Sequence, residues 1–189
     1  PNEQVEPLCR SLLHSFDASG GVPLKVVFDN PKTVVLHPKR RPIVWNRTMA
    51  QVAIDFAFAI ELCEPRRANQ KGSVENLVGW VKGSFFKVRR FQDRDDLLAQ
   101  LSAWLSEVNN ERPSRATGEV PAARLLEEQR RLQPLAVAAE DYPLQFEILV
   151  GPTGLVTHKG IRYAMPAEAI GFHGTLYLYP DRVRIQAGR

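Results

Sequence analysis

Leu24-Lys25-Val26-Val27-Phe28-Asp29-Asn30-Pro31 is the stretch that decides the architecture. Its apolar, β-branched centre reads as a short strand, and Asp-Asn-Pro is a turn sequence that ends it. A carboxylate there stands at the end of a rigid element and can project into a cleft; equally, an Asp in such a turn can cap backbone donors. Upstream, Val5, Leu8, Cys9, Leu12, Leu13 and Phe16 recur at three- and four-residue steps. That period predicts a helix with one buried face, stopped by Gly20-Gly21. Downstream, Asn46 is placed to cap a helix running to Phe56, and residues 58–62 read as a second strand.

Beyond Pro65-Arg66-Arg67-Ala68-Asn69-Gln70-Lys71-Gly72, the residues Val74, Leu77, Val78, Val81 and Phe85 keep helical spacing. They predict a long amphipathic helix with that stripe turned inward. Glu75 falls in its first turns, at the margin of the stripe, where a helix meets a sheet. Taken alone, a glutamate there is solvated or paired with a base. A further helix is predicted over Gln92 to Val108, and Asn109-Asn110-Glu111-Arg112-Pro113 ends it. Pro121 opens the next, through Arg131, in the first-turn position that proline favours. Helices alternating with strands to about residue 115 predict an α/β arrangement.

The texture changes after Pro134. Residues 146–150, 155–158, 161–165, 175–179 and 183–186 read as short strands separated by Gly or Pro turns, which predicts a small β-barrel or partial barrel. The organisation expected is therefore residues 1–115 as one domain, an accessory helix and linker over 116–142, and a small β-rich domain over 143–189.

Composition sets outer limits. With 25 Lys and Arg against 21 Asp and Glu the chain carries a formal charge of +4, compatible with nucleic acid without requiring it. Cys9 and Cys63 have no Cys or His neighbour at metal-ligand spacing, so they read as reduced thiols, and the four histidines form no zinc motif. No apolar run approaches the roughly 18–20 residues of a membrane span, and no signal-like segment opens the sequence, so a cytoplasmic location is expected.

A strand-end Asp and a helical Glu could converge on two divalent ions of the kind that, held by carboxylates, clamp the attacking and leaving oxygens in phosphoryl transfer. The residues also carry a resemblance. Val26-Val27-Phe28-Asp29-Asn30-Pro31-Lys32-Thr33, then Gly72-Ser73-Val74-Glu75-Asn76, resembles the second half of the DDE catalytic core of IstA-type transposases of bacterial insertion sequences, relatives of retroviral integrases. Gly21-Val22-Pro23, Pro65-Arg66, Lys71-Gly72 and Asn109-Asn110-Glu111-Arg112-Pro113 resemble the same family in the same order.

The resemblance implies an RNase H-like fold and Mg²⁺- or Mn²⁺-dependent DNA strand transfer, with Asp29 and Glu75 as catalytic residues and metal ligands. As partners it implies transposon-end and target DNA, an AAA+ helper ATPase, and further copies of the full-length protein. It also implies a first catalytic Asp on a strand ahead of the Val5–Phe16 helix, and Asp17 sits at a helix terminus unsuited to that part. An incomplete RNase H-like core is therefore expected, inefficient at strand transfer by itself, with a noncatalytic DNA-binding or assembly role as the alternative.

Lys39-Arg40-Arg41, Arg66-Arg67 with Lys71, and Lys87 with Arg89-Arg90 are candidate phosphate contacts. Lys82 lies two helical turns after Glu75 and shares its face; the resemblance implies a DNA-contacting base there. Trp45, Trp80 and Trp104 read as packing residues. Tyr163, Phe172, Tyr177 and Tyr179, interleaved with Arg162, Arg182 and Arg184, suit a nucleic-acid surface or the inward side of the β-rich domain, with packing preferred.

Overall fold

The computed structural model describes residues 4–29, 32–37, 42–63 and 68–188. Along the chain run α1 (Val5–Ser19), β1 (Lys25–Phe28), β2 (Val35–His37), β3 (Val44–Trp45), α2 (Arg47–Asp55), β4 (Ala59–Leu62), α3 (Ala68–Ser84), α4 (Arg94–Asn110) and α5 (Pro121–Gln129). Five strands follow: β5 (Leu144–Leu149), β6 (Leu155–His158), β7 (Ile161–Ala164), β8 (His173–Leu178) and β9 (Val183–Ala187). They distribute over two compact units, residues 1–18, 31–58 and 135–189 in the first, and 19–30 and 59–134 in the second.

In the first unit the predicted stripe of α1 is buried through Cys9, Leu13 and Phe16. Phe16 meets Phe58 edge-on at 5.5 Å between ring centroids, and Phe56 meets Tyr142 at 5.0 Å in the same manner. Such crossed aromatic contacts add to the area they remove from water. Asn46 caps α2 as its sequence position predicts, its Oδ1 accepting from the backbone N–H groups of Thr48 and Met49 at 3.1 and 3.4 Å. Arg10 reaches out of α1 to donate to the carbonyls of Tyr142, at 2.6 Å, and Leu178. The Tyr142 hydroxyl donates to Asp55, and burial first, that hydrogen bond second, push its pKa upward.

The β-rich segment corrects the sequence expectation. The predicted strands form, but β5, β8 and β9 make an open three-stranded antiparallel sheet while β6 and β7 pair only with each other. No barrel-like sheet is present among the described residues, because β5 and β9 each leave one edge unpaired by another strand. One face is still sealed: Ile148, Val150, Val156, Ala169 and Leu176 are buried together. Alternation in sequence thus fixed which side chains face inward; ring closure depends on edge pairing that alternation does not encode.

In the second unit β1 and β4 run parallel, in register from Lys25 opposite Ala59 to Phe28 opposite Leu62. Two parallel strands, with the separate β2–β3 ribbon of the first unit, stand in place of the RNase H-like sheet that the resemblance implies; the fold is mixed α/β. Gly20 takes the positive φ of +74° that ends α1, and Gly21 lets the chain pass residues 132 and 133. A Cβ on Gly21 would lie 2.6 Å from that of Leu132, so the Val22–Gln133 bridge beside it needs glycine. Helices α3 and α4 close over Phe85, Trp104 and Val108.

Candidate functional site

Asp29 follows β1 directly, on a strand pinned at its end by the Cys63 N–H donating to the Phe28 carbonyl at 2.8 Å. The carboxylate-bearing residue is exposed, and the following Asn30 and Pro31 lie outside the described residues. Glu75 is the eighth residue of α3 and is exposed as well. Both carboxylates therefore belong to the second unit, on different elements, and both face solvent.

The expected Mg²⁺ or Mn²⁺ site is corrected by the donor set. Among the described residues no group of three or more His, Cys, Asp or Glu side chains converges to hold a metal ion. Three further acids of this unit are engaged locally. Glu61 pairs with Lys25 across the parallel strands at 3.3 Å. Asp93 caps α4 by accepting from the Asp96 N–H at 2.8 Å. Asp96 in turn accepts from Gln100 and from the Gln92 N–H, and those bonds, the first being the larger cause, hold its pKa below the usual carboxylate range. Hard divalent cations need several converging oxygens, and two carboxylates alone do not supply them.

Of the basic candidates, Lys82 is exposed on α3 and forms no ion pair among the described residues. Lys71 lies within α3, its side chain not described, while Lys39, Arg40, Arg41, Arg66 and Arg67 lie outside the described residues. Tyr179 and Tyr177, in the β-rich part of the first unit, carry Arg182 and Arg184 over their rings at 4.0 and 5.6 Å. Tyr163 packs instead against the buried cluster there.

Sequence reasoning missed a groove in the second unit. It has a volume of about 1300 Å³ and runs between α3, α4 and residues 112–116. Its floor is a pair of indoles, Trp80 and Trp104, with centroids 5.1 Å apart and planes tilted by 34°. Trp104 is buried as expected, whereas Trp80 is 48% exposed. Arg89, Arg112 and Arg115 stand on the wall, beside the amides of Asn76 and Asn109. The sequence signal was Arg112-Pro113-Ser114-Arg115, two arginines beside the proline that follows α4.

Comparison with known proteins gives several relatives. A transposase for insertion sequence element IS21 from Pseudomonas aeruginosa is 35% identical over 173 residues, covering 90% of this chain and 44% of that protein. The transposase for IS640 from Shigella sonnei is 31% identical over 153 residues, 80% of this chain and 47% of that one. The transposase for IS232 from Bacillus thuringiensis subsp. berliner is 28% identical over 185 residues, 92% and 41% respectively. The chain thus spans less than half the length of these relatives. No family model matches. A chain in the cryo-EM structure of a simian T-cell lymphotropic virus intasome, in complex with PP2A regulatory subunit B56 gamma, aligns with a TM-score of 0.48 at 15% identity, over 98% of this chain and 63% of that one.

Proposed function

We propose, because this chain is related to the superfamily of DDE transposases and integrase catalytic cores, that it is part of an IstA-type transposase acting in DNA strand transfer. Asp29 and Glu75 are the carboxylates on which joining depends, and Lys82 is a phosphate contact beside Glu75. Transposon-end and target DNA, an AAA+ helper ATPase and further copies of the full-length protein are its partners in this reading. Residues 1–115 belong to the joining part, 116–142 to a connection, and 143–189 to a β-rich part that holds DNA or neighbouring subunits.

The observation that carries the proposal is the match to the IS21 transposase. About a tenth of the chain lies outside it, so a single continuous match of that extent spans positions 29 and 75. Three features agree with it. Asp29 ends a strand held in a parallel pair, Glu75 lies on an exposed helical face in the same unit, and Lys82 follows two turns later on that face.

A second reading has its own support. The described acids do not gather into a group, which favours a noncatalytic DNA-binding or assembly role for this portion. One experiment separates the two. Joining of pre-cleaved transposon-end DNA to a target plasmid is measured with the full-length gene product and with its Asp29→Ala and Glu75→Ala forms. Each substitution is expected to lower joining about a hundredfold or more, the scale of a lost acid or base at a reaction centre. Undiminished joining by either variant removes that residue from the chemistry. A gene product that binds these DNAs and never joins them establishes the noncatalytic reading.

A further inference from the structure

We propose that the groove over Trp80 and Trp104 takes an unpaired DNA strand, one base stacking on Trp80 and the neighbouring phosphates meeting Arg89, Arg112 and Arg115. This site is distinct from the carboxylate site. Trp80 lies five residues after Glu75, which turns it about 140° around α3 from that carboxylate.

Three properties of the groove point to a nucleic-acid strand. The first is charge: three arginines and no Asp or Glu stand among the described residues lining it, so it complements an anion. Arg112 is paired with Glu107, which lies outside the lining, so Arg89 and Arg115 are the lining arginines without an acidic partner among the described residues. Arg115 forms no ion pair among the described residues, and Arg89 is held in place over the Phe85 ring at 4.9 Å while donating to the Ser84 carbonyl at 3.2 Å.

The second property is the floor. A half-exposed indole backed by a buried one is a stacking platform already set in position, and every base has a face that fits it. Aliphatic neighbours do not form a comparable floor: Leu77 and Val88 are 57% and 67% exposed, on the rim. An acidic amphipathic peptide would need apolar anchor pockets at depth, so the groove favours a base over a leucine. The third property is the pair of neutral amides, Asn76 and Asn109, each able both to donate to and accept from the edge of a base. Duplex DNA keeps its base faces stacked on one another and has none to offer Trp80.

The test uses the 189-residue chain and fluorescence anisotropy at low salt. The probes are a short labelled oligothymidine, its duplex with oligoadenine, and a labelled peptide of alternating Glu and Leu. Trp80→Leu is expected to weaken oligothymidine binding about tenfold while leaving duplex binding within about twofold, and Trp80→Phe to retain most of the affinity. Arg115→Gln, on an exposed residue that is not part of the buried cluster, is expected to lower the slope of log affinity against log salt by about 0.7 for the single strand. Absence of oligothymidine binding by the unaltered chain overturns the proposal. So does an equal loss for single strand and duplex in the Trp80→Leu protein, or a Trp80-dependent preference for the acidic peptide. None of these outcomes touches the joining assay of Asp29 and Glu75, so the two proposals fail separately.

Discussion

Helices α1 and α3 both place apolar residues at three- and four-residue steps, the pattern being weaker on α3, and they meet opposite fates. On α1 the stripe Cys9, Leu13 and Phe16 is at most 4% exposed; on α3 the stripe Val74, Leu77 and Val78 is between 45% and 63% exposed. Periodicity at three and four residues states which side of a helix is apolar. It does not state that a partner is present. For α1 the partner is an aromatic group of Phe56, Phe58 and Tyr142 with rings at 5.0–6.2 Å. For α3 burial is confined to the far end, where Phe85 is enclosed with Phe91 and Trp104. Gly72, Gly79 and Gly83 add to the contrast: a Cβ on any of them would meet nothing within 4 Å, so packing does not account for them.

The strongest way to break this comparison is Phe16→Ala. It removes a ring that two other rings contact, and the cavity left behind should cost about 3–5 kcal/mol, read as a lower urea midpoint at unchanged slope. A loss under about 1 kcal/mol would mean that α1 is less firmly seated than its burial implies.

What was legible in the sequence follows the same division. Elements whose signal is local were readable: the Asn46 cap, the glycine stop after α1, the proline that opens α5 and the short strands after residue 143. Features that depend on which element lies beside which were not. The barrel expectation failed because edge pairing is a property of the assembled sheet, and β6–β7 satisfied its hydrogen bonds within its own hairpin. The ribbon of β2 and β3, two to three residues per strand, is too short to leave a period. At the candidate site, Asp29 and Glu75 were legible as strand-end and helical carboxylates, whereas the metal expectation required a convergence that no spacing guarantees. Trp80 was read as packing because indoles usually are; half-exposure is a fact of its neighbours rather than of its own context.

Raising the pH sharpens the comparison, because one stripe contains a titratable group and the other does not. Burial first, partly offset by Arg10, pushes the Cys9 thiol from 9.0 up to about 12. Between those values the unfolded chain gives up the proton and the folded chain keeps it. The contribution of the neutral thiol is thus fully present below pH 9.0 and is lost as pH rises toward about 12. Tyr142, also shifted upward, adds a loss that begins near its ordinary value of 10.0. Cys9→Ala is expected to abolish the earlier decline and Tyr142→Phe the later one, in urea midpoints taken at successive alkaline pH values. A decline starting below pH 9 in both variants would assign alkaline unfolding to another group.

The smallest expected effect is the most discriminating. Val78→Lys places a charge in the middle of the α3 stripe, where the same change at Leu13 would bury a cation. With Val78 already 45% exposed, a lysine can carry its ammonium into water and lie its methylenes along the helix. Lysine is also a slightly better helix former than valine, by a few tenths of a kcal/mol. The stability of the chain should therefore change by no more than about 0.5 kcal/mol, as at other open surface positions. A loss of about 2 kcal/mol or more would mean that the stripe is covered in solution. Dilution then distinguishes what covers it: a stability that falls as the unaltered protein is diluted places a second copy on α3, since mass action couples folding to association. A loss independent of concentration instead places part of the same chain there, and the two helices would be alike after all.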